Sequence, residues 1–487
     1  MHAARITTYL LALAAGAATA QPLSADVRKF VVHDEGLIAL THVRVIDGTG
    51  AAAQEDRTLV LRGGRIEAVT AGSAAPPAGA KLIDGTGRSV IPGLVGMHNH
   101  LFYTAAVNVD EAGKLQGPGI VVTELAFSTP RMYLASGVTT MRTTGSVEPY
   151  TDLNVREQID SGQMPGPKLD VTGPYLQGKG SVFAQMPGLT TPEQARKTVD
   201  FWVGEGVTSF KAYMDIAGPV LGAAIDEAHK HGLKVTGHLC SVSYREAIAL
   251  GIDNLEHGPL YTDSDFVEQR KQGRCPGYGA IAKSWQGRAM DSAEVQGLIR
   301  DLVQHKVAIT STLPVFEASV ATRPLLSRKQ QQMLTADALR NYLGNRATAG
   351  GAPERARDNE ALLKQEMAFE RAFVAAGGLL MAGPDPTGNG GVLPGFGDQR
   401  GIELLVEAGF TPVQALQIAT ANGARYLGRF DRIGSIEVGK QADLVLLVGD
   451  PSRRIEDIEN VELVFKDGVA YDPGKLINSV RGIVGLQ

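Results

Sequence analysis

Eight short apolar runs recur between residues 94 and 382, separated by segments with helical patterning. The runs are Leu94–His98, Val138–Arg142, Leu169–Thr172, Val207–Lys211, Leu233–His238, Asp253–Glu256, Val307–Thr312 and Leu379–Ala382. Strands that alternate with helices pair in parallel, because a parallel neighbour can only be reached by a crossover. Eight such units predict an α/β fold, most simply a (β/α)8 TIM-like barrel. The helices carry their own punctuation. Thr191-Pro192-Glu193-Gln194 supplies an N-cap, a proline at the first helical position and a capping-box glutamine, and Thr411-Pro412-Val413-Gln414 repeats it. Gly232 and Gly251 close the helices Ala223–His231 and Tyr244–Leu250.

The chain on either side reads differently. Leu37–Asp47 and Thr58–Val69 alternate apolar and polar residues, with Asp47-Gly48 and Gly63-Gly64 as turns. After Gly428 the text becomes strand-like again, at Ile433–Glu437, Asp443–Val448 and Val461–Lys466. We therefore expect a small β-sandwich domain built from both chain ends, 37–90 plus 429–487, beside a barrel at 91–428. Residues 317–370 are polar and helix-prone, and are expected as a helical insertion at the barrel mouth.

Residues 1–20 read as a secretory signal. Arg5 supplies the positive end, Tyr9–Ala17 the apolar run, and Ala18-Thr19-Ala20 the cleavage pattern. The run is shorter than the roughly 20 apolar residues a membrane span needs. The expectation is a periplasmic or secreted protein, cleaved after Ala20, with no membrane anchor afterwards. A net charge of −5 leaves no electrostatic footprint for nucleic acid. Two cysteines in 487 residues do not make a disulfide framework, so Cys240 is read as a small buried side chain, with a bridge to Cys275 left open.

Residues able to bind metals fall at one kind of place. His98 and His100 end the first run, two apart and so on one side of a strand. Lys211, His238 and His257 end the fourth, fifth and sixth runs, and Asp385 follows the eighth. The separations of 27 and 19 residues between Lys211, His238 and His257 each match about one strand-plus-helix unit. Barrel enzymes hold their sites at the C-terminal ends of strands. Any one of these residues read alone is better explained as structural, as His33, His231 and His305 are. Six on one rim are not.

The motifs that carry these residues resemble the amidohydrolase superfamily, in its imidazolonepropionase-like and prolidase-like branch. The matching segments are Val90-Ile91-Pro92-Gly93-Leu94 leading to His98-Asn99-His100, then Gly137–Arg142, Gly237-His238, Ala247–Asp253 leading to Glu256-His257-Gly258, and Gly434–Val445. The resemblance implies a site for two divalent metal ions, zinc above others. His98 and His100 would bind the deeper ion with Asp385, and His238 and His257 the outer one. Lys211 would bridge them as N6-carboxylysine, because an ammonium with a pKa near 10.4 cannot be a ligand. Asp385 would act as general base and then general acid.

Substrate contacts are sought at Tyr103, Arg142 and Tyr213. The arginine could pair a substrate carboxylate. Relatives often place an Asp after that arginine where this chain has Thr143, which puts any acid function there in doubt. The glycine-rich run Thr387–Gln399 is expected as an active-site loop. The expected activity is metal-dependent hydrolysis of a C–N amide bond in a small substrate, a dipeptide or an N-acyl amino acid. The competing readings are a lactone, ester, carbamate or urea-type bond at the same site, and a periplasmic binding protein without catalysis. Relatives also suggest a homo-oligomer.

Overall fold

The computed structural model describes residues 22–110, 115–181, 183–350, 353–386 and 391–485. The signal segment and residues 387–390 of the glycine-rich run lie outside the described residues. Among the described residues no helix is long and apolar enough to cross a membrane.

The architecture is α/β with parallel strands. Leu94–Gly96, Val138–Arg142 and Lys168–Asp170 form one parallel sheet, with Val138–Arg142 in the centre. Ser209–Ala212, Lys234–Gly237, Asn254–Glu256, Ala308–Ser311 and Leu380–Ala382 form a second, in chain order. All eight predicted runs are strands within a few residues. Backbone hydrogen bonds join the two sheets on both sides. Thr208 N donates to Val171 O and Gly173 N to Ser209 O at one junction; Met97 N donates to Ala382 O at the other. Helices fill the crossovers. The capping boxes at Thr191 and Thr411 form as the sequence predicts, with each threonine accepting from the backbone of the glutamine three residues on.

The chain ends meet in a nine-stranded sheet. Its order runs from Val31–His33 through Val469–Tyr471, Val461–Lys466, Leu444–Val448, Arg88–Pro92, Leu37–Val45 and Gln54–Arg62 to Arg65–Ala71, with Lys81–Asp84 paired beside Leu37–Val45. The C-terminal strand Leu444–Val448 lies antiparallel to Arg88–Pro92, with Val445 opposite Ile91. That register matters for the site, because Arg88–Pro92 runs through Gly93 into Leu94–Gly96 and on to His98.

Three readings need correction. Ile433–Glu437 is not a strand: the segment turns at Gly434, whose φ is +85°, and Ile436 N bonds back to Asp47 O. Its apolar residues pack as loop anchors, so their spacing mimics a strand. A hairpin, Phe102–Val109 with Leu115–Glu124, stands directly after the histidine pair and was not anticipated. Residues 317–370 include the helices Arg328–Gln331 and Ala336–Gly350 and most of Pro353–Ala375, which runs past the predicted boundary at residue 370.

Candidate active site

The structure brings His98, His100, Lys211, His238, His257 and Asp385 together. The first strand ends at Gly96, so the two histidines sit in the bend beyond it and not on the strand. The bend is pinned from outside: Asn99 Nδ2 donates to Asp398 Oδ1 at 3.0 Å, and Tyr133 Oη donates to His100 O at 2.9 Å. The eighth strand passes so close that a Cβ at Gly383 would lie 2.2 Å from His98 N. Two residues later the backbone turns into the left-handed region at Asp385, with φ +51°, and His257 has φ +72°. Left-handed backbone at non-glycine residues is costly and concentrates at functional sites.

The ring nitrogens are oriented by hydrogen bonds on their far sides. His98 Nδ1 donates to Glu256 Oε2 at 2.7 Å, and His100 Nδ1 donates to Thr143 O at 3.0 Å. Both rings therefore turn an Nε2 lone pair inward. His98 Nε2 lies 3.1 Å from Lys211 Nζ and 3.6 Å from Asp385 Oδ1; His100 Nε2 lies 3.3 Å from the same carboxylate oxygen. His257 Nδ1 bonds Thr312 Oγ1 at 2.8 Å, while its buried Nε2 has no hydrogen-bond partner. His238 packs on His257, with ring centroids 4.4 Å apart, and its Nε2 is 3.0 Å from Tyr278 Oη.

Electrostatics agree with this orientation. Burial, reinforced by the Lys211 charge, lowers His238 to about 3, and burial lowers His100 to about 4. Both rings are therefore neutral and ligand-competent near pH 7. Burial also lowers the Lys211 amine to about 8, against the pull of Glu256 and Asp385. Burial alone would raise Asp385, but His98, His100 and His257 hold its carboxyl well below the usual range.

The set fits divalent cations. Donor atoms of His98, His257 and Asp385 lie within 4.8 Å of one another, all buried. A buried imidazole nitrogen without a partner is a cost that a cation would remove.

The sequence-based substrate contacts fare unequally. Tyr213 lines the cavity at the site and packs on His238 at 4.8 Å. Tyr103 does not line it: in the new hairpin it points into the core, and its neighbour Phe102 faces the cavity. Strand alternation decides this, because successive side chains face opposite ways. Arg142 is not available to a substrate either. It is buried, donating to Met97 O and to Glu256 Oε1 at 2.7 Å.

Glu256 is the residue that sequence reasoning passed over. Its carboxylate accepts from His98, Arg142, Asn254 and Thr236. The signal was present in Glu256-His257-Gly258, but apart from Asn254 its partners are 20 to 158 residues away. Tyr278 was also missed. It stands three residues after Cys275, which forms a disulfide with Cys240, so the bridge holds Tyr278's segment beside His238. The buried cysteine expected at 240 is thus half of a bond.

A profile of the Amidohydrolase family matches residues 89–470. An imidazolonepropionase of Stenotrophomonas maltophilia (strain R551-3) is 26% identical over 289 residues, 56% of this chain and 64% of the relative. The chain thus spans just under two thirds of that relative's length. An imidazolonepropionase of Phocaeicola vulgatus is 60% identical over a 40-residue stretch, 8% of this chain and 10% of its own. Among solved structures, a Bifidobacterium longum protein described as a candidate prolidase superposes with a TM-score of 0.62 at 26% identity, covering 91% of this chain and 98% of its own. A Xaa-Pro dipeptidase with bound methionine superposes at 0.64 with 20% identity, covering 90% and 100%, which speaks for the fold alone.

Proposed function

Because this chain belongs to the amidohydrolase family, in its imidazolonepropionase-like and prolidase-like branch, we propose that it is a metal-dependent hydrolase of a C–N amide bond in a small substrate. One observation carries the reading: buried ligand atoms of His98, His257 and Asp385 lie within 4.8 Å of one another, with Lys211 Nζ 3.1 Å from His98 Nε2, His100 Nε2 3.3 Å from Asp385 and His238 packed on His257. His98, His100 and Asp385 would hold one divalent ion, His238 and His257 another, and Lys211 would bridge them. Zinc suits these nitrogen and oxygen donors best. When bound, such ions acidify a water molecule and polarise a carbonyl.

The chain's own residues do the rest. Lys211 reacts as the neutral amine: its Nζ forms a bond to the carbon of CO2 and releases one proton, giving an anionic carbamate. Burial favours this by lowering the amine pKa to about 8. Asp385 accepts the proton of the attacking water and returns it to the leaving nitrogen, without which an amide anion would have to depart. Glu256 and the Thr143 carbonyl keep His98 and His100 in the tautomer that faces inward.

Three further elements belong to this reading. The eight parallel strands form one closed TIM-like barrel, supported by the hydrogen bonds at both sheet junctions. The sheet from the two chain ends folds over a shared core as a β-sandwich, supported by a cluster joining Ile38, Leu59, Val90, Leu444 and Phe465. The protein is exported, supported by the signal pattern and by a disulfide suited to an oxidising compartment.

The test is a panel of dipeptides and N-acyl amides assayed with zinc-loaded and chelated protein, with metal content measured in parallel. Near two ions per chain and turnover lost on chelation are expected. Turnover indifferent to chelation would sink the reading.

A further inference from the structure

The cavity above the histidine cluster has a volume of about 970 Å³. That is near the top of the usual range for small-molecule sites, roughly 300–1,000 Å³. Its wall is apolar and aromatic. Phe102, Phe183, Tyr213, Tyr278, Phe316 and Leu362 come from six separate parts of the chain: the hairpin, two loops after parallel strands, the helix after Cys275, the helix Leu313–Glu317 and the inserted helix Pro353–Ala375.

Charge is nearly absent from this wall. Apart from the Lys211, histidine and Asp385 cluster, the charged side chains that line the cavity among the described residues are Lys283 and Asp358. They are opposite in sign and both exposed. Water screens such groups, so neither gives a strong anchor for an anion. Arg142, a buried guanidinium close to the site, already has Glu256 as its partner. A substrate carboxylate next to the scissile bond would therefore lose its water and gain no buried cation from the described residues of the wall. Uncompensated burial of a carboxylate is strongly unfavourable. A neutral aromatic group would lose nothing of the kind, and would meet ring edges and faces on several sides.

Resting on the proposed amide hydrolysis, we infer that the substrate is a bulky, uncharged amide with an aromatic or comparably apolar group beside the scissile bond. A free dipeptide is disfavoured. The preference lies in the wall and not in the catalytic cluster.

A matched pair tests this: N-phenylacetyl-benzylamine and N-phenylacetyl-phenylglycine, which share acyl group, scissile bond and phenyl ring and differ by the α-carboxylate. Both are assayed with the zinc-loaded full-length protein beside the dipeptide panel. The expected result is a kcat/KM at least tenfold higher for the neutral amide. Equal or better use of the acid, or turnover of dipeptides in preference to the neutral amide, would overturn the inference and leave the hydrolase reading standing. No turnover of any compound in the pair or the panel would overturn both.

Discussion

Arg142 and Glu256 form a fully buried ion pair, with Arg142 Nη2 2.7 Å from Glu256 Oε1. The other Glu256 oxygen accepts a hydrogen bond from His98 Nδ1–H. Burial would raise the Glu256 carboxyl, but Arg142 and then His98 hold it well below the usual range. The arginine thus keeps charged the carboxylate that orients a histidine of the site. Replacing Arg142 with Met leaves that carboxylate buried without its cation. Such losses cost about 3–5 kcal/mol. Urea unfolding of Arg142→Met should show a drop of that size, and a change under about 1 kcal/mol would contradict this role.

Asp385→Asn keeps an oxygen facing His100 but cannot carry the proton. Removing a general acid–base group costs roughly 10²–10⁴-fold in rate. The variant should lose at least a hundredfold in kcat while retaining most of its metal by elemental analysis. Wild-type turnover would refute the assignment.

Lys211 should take up CO2 in a pH-dependent way. Its amine pKa, about 8, lies below the ordinary lysine value, so the reactive neutral form increases as pH rises through 8. With 13C-labelled bicarbonate and metal-free protein, a carbamate NMR signal should grow between pH 7 and 9, the span that brackets this pKa. It should be absent in Lys211→Ala. A signal equally strong in that variant would assign the carbamate elsewhere.

The Cys240–Cys275 bond spans 35 residues and leads to Tyr278. Chain-entropy reasoning gives such a loop about 4 kcal/mol. Reduction, or paired replacement with Ser, should lower Tm. It should also raise KM more than it lowers kcat, since Tyr278 lines the cavity. Unchanged KM in a destabilised variant would separate the bridge from substrate binding.

Asp398 holds Asn99 from beneath, and burial raises its carboxyl to about 7. The unfolded chain releases this proton near 3.9. The stability it contributes is thus present in full below the unfolded value and is lost as pH rises through about 7. Wild type should fall relative to Asp398→Asn between pH 4 and pH 8, on the order of 2–4 kcal/mol. Parallel curves for the two proteins would exclude this contribution.

Periodicity in the text was enough to place the eight parallel strands, the capped helices and the pairing of the two chain ends. It put six candidate ligands near the C-terminal ends of strands, because strand-plus-helix repeats are local properties, but side-chain alternation did not place His98 and His100, which lie in the bend beyond Leu94–Gly96. It failed at Ile433–Glu437, where loop anchors imitate alternation, and at the hairpin after His100, whose pairing turned Tyr103 inward.

What the sequence by itself determined is the chemistry available: which donor types end which strands, in which order. The tertiary structure decided how that chemistry is directed. It paired Arg142 with Glu256, turned the His98 and His100 rings by contacts 158 and 43 residues distant, joined Cys240 to Cys275, and walled the cavity with aromatic side chains from separate segments. The physical reason is range. Backbone periodicity acts over a few residues, whereas charge pairing, tautomer choice and desolvation depend on whichever atoms the folded chain brings within a few ångströms.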